Sequence, residues 1–328
     1  MRDFSYVRAP RPIDAVQLVT RHPDASFVAG GTDLLNLMKD GAEDYDLVVD
    51  ISHLPLTEVK QSAGRLRIGA LARMSDVALH PVVRKRLPVL SQALLAGASP
   101  QIRNMATIGG NLLQRTRCWY FRSEDFPCNK RMPGTGCAAL EGHSRWHAIL
   151  GGSERCIAVH PSDLAVALRA LDAVVHTLGP DGTRTISMAD LHLEPGDTPH
   201  VESALRHGEL ITEVEIPLPE PGARQRYLKV RDRATFEFAV VSVAAVLVMD
   251  GHRVDEARLA FGGVATRPWR SSEAEAALRG RPLTEESVAR CGRILVSDAQ
   301  PREDNQFKVE LVQRALQDVL GRFTGGSR

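Results

Sequence analysis

The chain is 328 residues long and carries 41 Lys and Arg against 40 Asp and Glu, a formal net charge of +1. Balanced charge excludes a basic nucleic-acid footprint and an acidic tail, and no run approaches the ~20 apolar residues of a membrane span, so neither nucleic acid nor membrane is expected as a partner. Five cysteines, an odd number in a large chain whose N-terminal MRDFSYVRAPRPIDAVQ lacks an apolar stretch of signal length, point to metal or redox use in the cytoplasm rather than a disulfide framework.

In chain order, apolar periodicity predicts a helix in IDAVQLVTRH, a strand in SFVAGG, a helix in TDLLNLMKDG and a strand in YDLVVDIS. A strand in RLRIGAL follows, then a helix capped by Ser75 and a second helix in LPVLSQALLAGAS. The pattern breaks over residues 115–157 and resumes with a strand in IAV (157–159), a helix over PSDLAVALRAL capped by Ser162, and a hairpin of AVVHTL and TRTISM. ELITEVEIPLP is the next strand, and PLPEPGARQ marks a domain boundary. The last third reads as three strands and then helices. In the last helix, Phe307, Leu311, Ala315 and Val319 form an apolar stripe flanked by Val312, Leu316 and Leu320.

Two glycine pairs sit at strand-to-helix turns. FVAGGTDLL places Gly30 and Gly31 ahead of Thr32 and Asp33, and ATIGGNLLQ places Gly109 and Gly110 between Thr107 and Asn111. Unpaired amides at such a turn suit an anion such as a diphosphate. Neither loop is GxGxxG or a P-loop, so a tight turn without ligand and a large phosphate-bearing cofactor both fit.

AGGTDLL, ATIGGNLLQ and HPSDLAVAL, followed by KVRDRATFEFAVVSVAA and FGGVATRPWR, resemble in order the flavin-binding subunit of the molybdenum hydroxylases, the xanthine dehydrogenase and aldehyde oxidoreductase group. The resemblance implies an α+β fold: a two-subdomain FAD-binding domain of the PCMH type over 1–222, then a smaller C-terminal α+β domain with an antiparallel sheet and helices over 223–328. It further implies that Phe27, Val28, Ala29, Gly30, Gly31, Thr32, Asp33 and Leu34 wrap the FAD diphosphate and that Thr107, Gly109, Gly110 and Asn111 form the second loop. Asp163 would bond the ribityl or adenosine side, with Lys229 near the flavin ring and Ile211 packed against it. Read from the residues alone, Asp163 is a first-turn acid favoured by the helix dipole and Lys229 a solvated strand lysine.

Within this resemblance, the stretch at about 115–157 is an insertion carrying Cys118, Cys128, Cys137 and Cys156. Four thiolates satisfy tetrahedral Zn²⁺ or one iron–sulfur cluster. Single cysteines spread through a Pro- and Gly-rich loop lack the paired knuckles of structural zinc, and a [4Fe–4S] cube accepts ligands from separated positions. Arg115, Arg117, Lys130 and Arg131 would offset its negative charge, and Trp119 and Tyr120 would shield it from water. NLLQRTRC, PCNKR and GCAALEG are similar to the three-subunit bacterial aldehyde oxidoreductases with such a cluster. Cys291 reads as a core cysteine, and the eleven histidines as surface or satisfied core residues.

The resemblance implies an electron-transfer subunit without a catalytic acid or base of its own. A large molybdenum-cofactor subunit would oxidise an aldehyde or xanthine-type substrate, and a small subunit with two [2Fe–2S] clusters would feed FAD. An external acceptor would complete the cycle, in a heterotrimer or its dimer. The flavin subunit of a 4-hydroxybenzoyl-CoA reductase-type enzyme and a stand-alone flavin oxidase with a zinc-stabilised loop are the alternatives. Co-export on a partner's signal would move the complex to the periplasm.

Overall fold

The computed structural model describes residues 1–324. The first unit runs β1 (Ser5–Arg8), α1 (Pro12–Arg21), β2 (Ala25–Val28), α2 (Leu34–Lys39) and β3 (Leu47–Asp50), with a parallel sheet ordered β1-β3-β2. Pro12 starts α1 because its missing N–H is not needed in a first turn, and the helix buries Ala15, Val16 and Val19. β1 was not legible in the sequence. All four of its residues are exposed, so no alternation marks it.

The second unit runs β4 (Val59–Ser62), β5 (Arg65–Gly69), α3 (Met74–Leu79), α4 (Pro81–Arg86), α5 (Pro88–Ala96), α6 (Pro100–Arg103), α7 (Ile108–Leu112), α8 (Trp119–Arg122), α9 (Asp163–Ala170), β6 (Val174–Gly179), β7 (Gly182–Ser187) and β8 (Leu210–Pro217). Its strands form an antiparallel sheet ordered β4-β5-β8-β6-β7. Arg73, not Ser75, precedes α3; the Ser75 hydroxyl lies inside the first turn, on exposed Asp76. The expected strand at 157–159 does not form. Its one backbone tie to the preceding loop is Ala148 N–H to Ile157 O at 2.9 Å, since no partner strand lies beside it.

The last unit consists of β9 (Arg224–Val230), β10 (Val241–Asp250) and β11 (Arg253–Gly262), followed by α10 (Ser272–Ala276), α11 (Glu285–Leu295) and α12 (Phe307–Thr324). β10 reads VSVAAVLV without polar alternation because its sheet is covered on both faces. Val243, Ala245 and Leu247 pack with α11 and α12, whereas Ala244 and Val246 join the core of α5 and α9. The second unit and this sheet thus share one core. Among the described residues, no helix is long and apolar enough to cross a membrane.

In α12 the buried stripe is displaced from the expected one. Phe307 and Leu311 are half-buried, while Lys308 is fully buried alongside Val312, Ala315, Leu316, Val319 and Leu320. The Lys308 ammonium tolerates this because Nζ donates to His147 O at 2.9 Å and Gly263 O at 2.7 Å. Burial, aided by Arg145, lowers its pKa to about 7. An unfolded lysine titrates near 10.4, so between these values the unfolded chain holds the additional proton and stability rises with pH. Below 7 both states are charged and the full cost of burying the charge is felt. Lys308→Met is expected to flatten this rise, on the order of 1 kcal/mol per pH unit between roughly pH 7 and 8.5, in urea midpoints measured across that range. Parallel profiles for the two proteins would refute the assignment.

Candidate functional site

A cavity of about 590 Å³ opens where the loop after β2 meets α7, the start of α9 and β8, within the size range of a bound cofactor. Phe27, Val28, Ala29, Gly30, Gly31, Thr32, Asp33 and Leu34 all line it, as do Thr107, Gly109, Gly110, Asn111, Asp163 and Ile211.

The two glycine loops differ chemically. Gly31 adopts φ +68°, a left-handed conformation natural to glycine, and among the described residues no protein acceptor takes the amides of Gly30, Gly31, Thr32 and Asp33. That run of free donors suits a diphosphate. The second pair does not repeat it. Gly109 donates to Ala70 O at 2.8 Å, and Gly110 to the capping Thr107 hydroxyl at 3.3 Å. Asn111 is likewise engaged within the protein, its Oδ1 accepting from Ser162 Oγ at 2.6 Å and its Nδ2 donating to Met74 Sδ at 3.2 Å. The second loop shapes the cavity wall, while the first presents open donors. A Cβ on Gly30 would fall 2.0 Å from Met105 O, so the two loops meet backbone to backbone.

Asp33 also departs from the expected role. Its carboxylate is held by the Arg117 and Arg122 guanidiniums, the latter at 2.9 Å, and by Arg115 N–H at 2.8 Å. Burial alone would raise its pKa, but these cations outweigh burial and keep it below the ordinary value. A carboxylate so engaged clamps the cysteine loop to the first glycine loop, whereas a free one would repel a diphosphate.

Lys229 is neither solvated nor in the cavity wall. Its side chain is 3% exposed, and Nζ donates to Asp163 Oδ2 at 2.8 Å and Ala96 O at 3.2 Å. Tyr227 Oη donates to Asp163 Oδ1 at 2.5 Å. The first-turn acid of α9 is thus fixed from behind by two strand residues and turned to the cavity, which Lys229 reaches only through it. Sequence reasoning missed Ala98, Gln114 and the loop with Arg233, Phe236 and Phe238, all of which line the cavity. Ala98 (φ +50°) and Phe236 (φ +53°) hold a backbone conformation unfavourable to side chains, a signal visible only in the fold.

The four insertion cysteines lie outside this cavity on a loop whose only helix is α8. Cys128 and Cys137 face each other across an isolated antiparallel bridge. Burial pushes the Cys118 thiol up to about 12 and Cys156 to about 11, so ionising them calls for a metal centre. Zinc at ~2.3 Å from each sulfur brings the thiolates within about 3.8 Å of one another. Among the described residues only His176, Glu213 and Glu215 gather three ligand atoms within 4.8 Å, so no three of the thiols converge to the spacing of a zinc site. His176 and its neighbours are an ion-pair group instead, since Arg65 and Arg67 engage Glu215 and Arg67 engages Glu213.

The cations expected to offset a cluster are also anchored within the protein, and Lys130 still pulls the Cys156 thiol down against the effect of burial. Arg115 pairs with Glu43 and Glu202, Arg117 with Asp33, Lys130 with Glu202 at 2.7 Å, and Arg131 donates to the carbonyls of Tyr120, Phe121 and Phe126. They tie the loop down. Tyr120 is buried as expected, but Trp119 is 56% exposed and lies against Trp146 with the rings tilted by 47°. Cys291 is a fully buried core residue. His147, by contrast, is not a bystander. Its Nε2 lies 3.2 Å from Cys118 Sγ, and burial, aided by Lys308, lowers its pKa to about 4, leaving the ring neutral.

Residues 2–219 match the family described as the FAD binding domain in molybdopterin dehydrogenase, and residues 226–324 the CO dehydrogenase flavoprotein C-terminal domain. The chain is 51% identical over 323 residues to the aldehyde oxidoreductase FAD-binding subunit PaoB of Escherichia coli (strain K12), with 98% of each chain covered. It is 27% identical to the glyceraldehyde dehydrogenase medium chain of Sulfolobus acidocaldarius, covering 93% of this chain and 91% of the relative. The crystal structure of quinoline 2-oxidoreductase from Pseudomonas putida 86 superposes with a TM-score of 0.76 at 25% identity, over 98% of this chain and 96% of that one. The chain belongs to the FAD-binding flavoprotein subunits of the molybdenum hydroxylases. It is an α+β oxidoreductase subunit that binds FAD, from a family whose complexes have several subunits.

Proposed function

We propose that this chain is the electron-exit subunit of an aldehyde oxidoreductase of the molybdenum type, with FAD in the 590 Å³ cavity and a [4Fe–4S] cluster on Cys118, Cys128, Cys137 and Cys156. The observation that carries the reading is the run of four free amides at Gly30–Asp33 opening into a cavity lined by both glycine loops. The similarity to the E. coli aldehyde oxidoreductase subunit supports the substrate class. FAD, when bound, supplies electron transfer between one-electron centres and an acceptor. The protein's own work is positioning. Phe27 to Thr32 cradle the phosphates, Asp163 is held rigid by Tyr227 and Lys229, Ile211 supplies an apolar wall, and Asp33 locks the two modules together.

A large molybdenum-cofactor subunit and a small [2Fe–2S] subunit complete the complex in this reading, as a heterotrimer or its dimer. Single cysteines separated along the loop, without paired zinc knuckles, favour the cluster over zinc. Metal analysis of the isolated chain, with an absorption spectrum, is the test: about four irons per chain beside the flavin bands is expected. Zinc in place of iron would overturn the cluster assignment, and turnover of aldehyde by this chain alone would overturn its role as an exit subunit.

A further inference from the structure

Cys128 and Cys137 stand at the two ends of CNKRMPGTGC, a tight loop between α8 and α9. Their backbones pair as an isolated antiparallel bridge, closed on either side by Asn129 N–H to Gly136 O at 2.7 Å and Ala138 N–H to Pro127 O at 3.2 Å. Because those bonds belong to the flanking residues, the cysteines themselves are a non-hydrogen-bonded pair. In that register the facing Cα atoms lie about 4.5 Å apart, and both side chains leave the ladder on the same face. Disulfides span Cα separations of roughly 4.4–6.8 Å, so this pair falls within bridging range.

The pairing is fixed before any sulfur reacts. Asn129 Oδ1 accepts from Gly136 N–H at 2.9 Å, Thr135 Oγ1 accepts from Cys128 N–H at 3.1 Å, and Asn129 Nδ2 donates to Arg155 O at 3.1 Å. Gly134 and Gly136, with φ +87° and +103°, carry the turn between the two arms. Residues 132–135 at its tip are exposed, Cys137 is half-buried and Cys128 is buried, so a small reagent meets Cys137 first. Among the described residues, neither of the other two loop cysteines faces a cysteine across paired backbone. Cys118 lies against His147, and the buried Cys156 sulfur accepts from Ala158 N–H at 3.4 Å.

We propose that Cys128 and Cys137 form a reversible disulfide when no metal holds their sulfurs, and that this link closes the four-thiol site to metal. The oxidant is a low-molecular-weight disulfide such as oxidised glutathione. The Cys137 sulfur attacks it and forms a mixed disulfide, and the Cys137 proton passes through solvent to the thiolate that leaves. The Cys128 sulfur then attacks the Cys137 sulfur and displaces the second half of the reagent, which takes up the Cys128 proton in the same way. Two cysteine thiols are oxidised to one disulfide while the reagent is reduced to two thiols, so an excess of thiol reverses the exchange. With the pair joined, only Cys118 and Cys156 remain, too few thiolates for tetrahedral zinc or an iron–sulfur cluster. The link stands on the bridge alone, whereas the identity of the metal it excludes rests on the cluster reading above.

The test uses the full chain, stripped of metal by a chelator under reducing conditions, desalted anaerobically and treated with oxidised glutathione. Free thiols are then alkylated and the protein is mapped by mass spectrometry without reduction. A peptide cross-linked between Cys128 and Cys137 is expected, with Cys118 and Cys156 alkylated. Cys128→Ser should stop at a glutathione adduct on Cys137. Asn129→Ala keeps every thiol but loses the side-chain clamp on the bridge, and should form the link roughly three- to tenfold more slowly. Oxidised and reduced chains are next offered ferrous iron with sulfide or, in parallel, zinc, and bound metal is measured. The oxidised chain should take up roughly tenfold less than the reduced one until dithiothreitol is added. Links between other cysteines, or none in the wild-type chain, would overturn the site, and equal metal uptake by the two forms would overturn its control of loading. Uptake of zinc but not iron, confined to the reduced chain, would leave the disulfide gate standing and overturn the cluster reading; uptake of neither would overturn both.

Discussion

Gly30→Ala is expected to yield a folded chain that loses most of its FAD on dialysis. The added Cβ would lie 2.0 Å from Met105 O, 2.7 Å from Met105 C and 3.2 Å from Ala106 N, all backbone atoms with no rotamer to yield. The loop after β2 must therefore retreat from the segment before α7, and with it the free amides of Gly30–Asp33. Overpacking of this kind costs about 1–3 kcal/mol, and ~1.4 kcal/mol is tenfold in affinity, so flavin binding should weaken roughly tenfold or more. Gly321→Ala, on α12 where nothing lies within 4 Å of the new Cβ, is the control and should retain its flavin. The check is the flavin-to-protein absorbance ratio after exhaustive dialysis; wild-type retention in Gly30→Ala would show that the loop contact does not set the cradle.

The second large effect is expected at Asp33. Its side chain is 14% exposed, and those of Arg117 and Arg122 are 27% and 15% exposed. Asp33→Ala removes the shared acceptor of two buried guanidiniums and of Arg115 N–H. Truncating one partner of such a buried pair costs about 3–5 kcal/mol, because the remaining charges lose their compensation. A fall of that order in urea stability, together with faster proteolysis within residues 115–157, is the expected outcome. The folded Asp33 pKa is below its unfolded value, so this contribution is present above about pH 4 and lost as pH falls through the folded value. A variant with wild-type stability and an equally protected loop would mean that the two modules hold together without this carboxylate.

Much of the flavin loop was legible because local chemistry and tertiary role coincide there. A glycine pair between an apolar strand and a helix demands a tight turn, and a tight turn exposes amides; in the fold, Phe27 to Leu34 line the cavity as a contiguous run. The same argument misjudged the second pair. Whether an amide is free depends on what lies opposite, and Ala70 O lies opposite Gly109. A strand that alternates buried with half-buried residues, such as Val174–Gly179, was readable, whereas the exposed edge strands Ser5–Arg8 and Val59–Ser62 left no periodic trace.

Charge was only partly legible. Arg115, Arg117, Lys130 and Arg131 cluster near the cysteines in sequence and read as a cationic surround; in the fold each is also tied to a carboxylate or carbonyl, Arg131 to carbonyls of the cysteine loop itself, and Lys130 still favours the Cys156 thiolate. Lys229 was read as solvated or beside the flavin ring, and it proves to be the buried counterion of Asp163, 66 positions away in the chain. Lys308 occupies a core position that apolar periodicity assigns to its neighbours.

From the sequence alone came the family resemblance, the α+β class, the first glycine turn and four cysteines on one long loop, because these depend on residue type and on spacing along the chain. The tertiary structure alone decided which amides remain unpaired, which charges neutralise one another, and that His147 lies against Cys118 beside a small cavity. Those outcomes are set by what approaches from distant parts of the chain, and a hydrogen bond or ion pair across 82 or 84 residues leaves no mark on local sequence pattern.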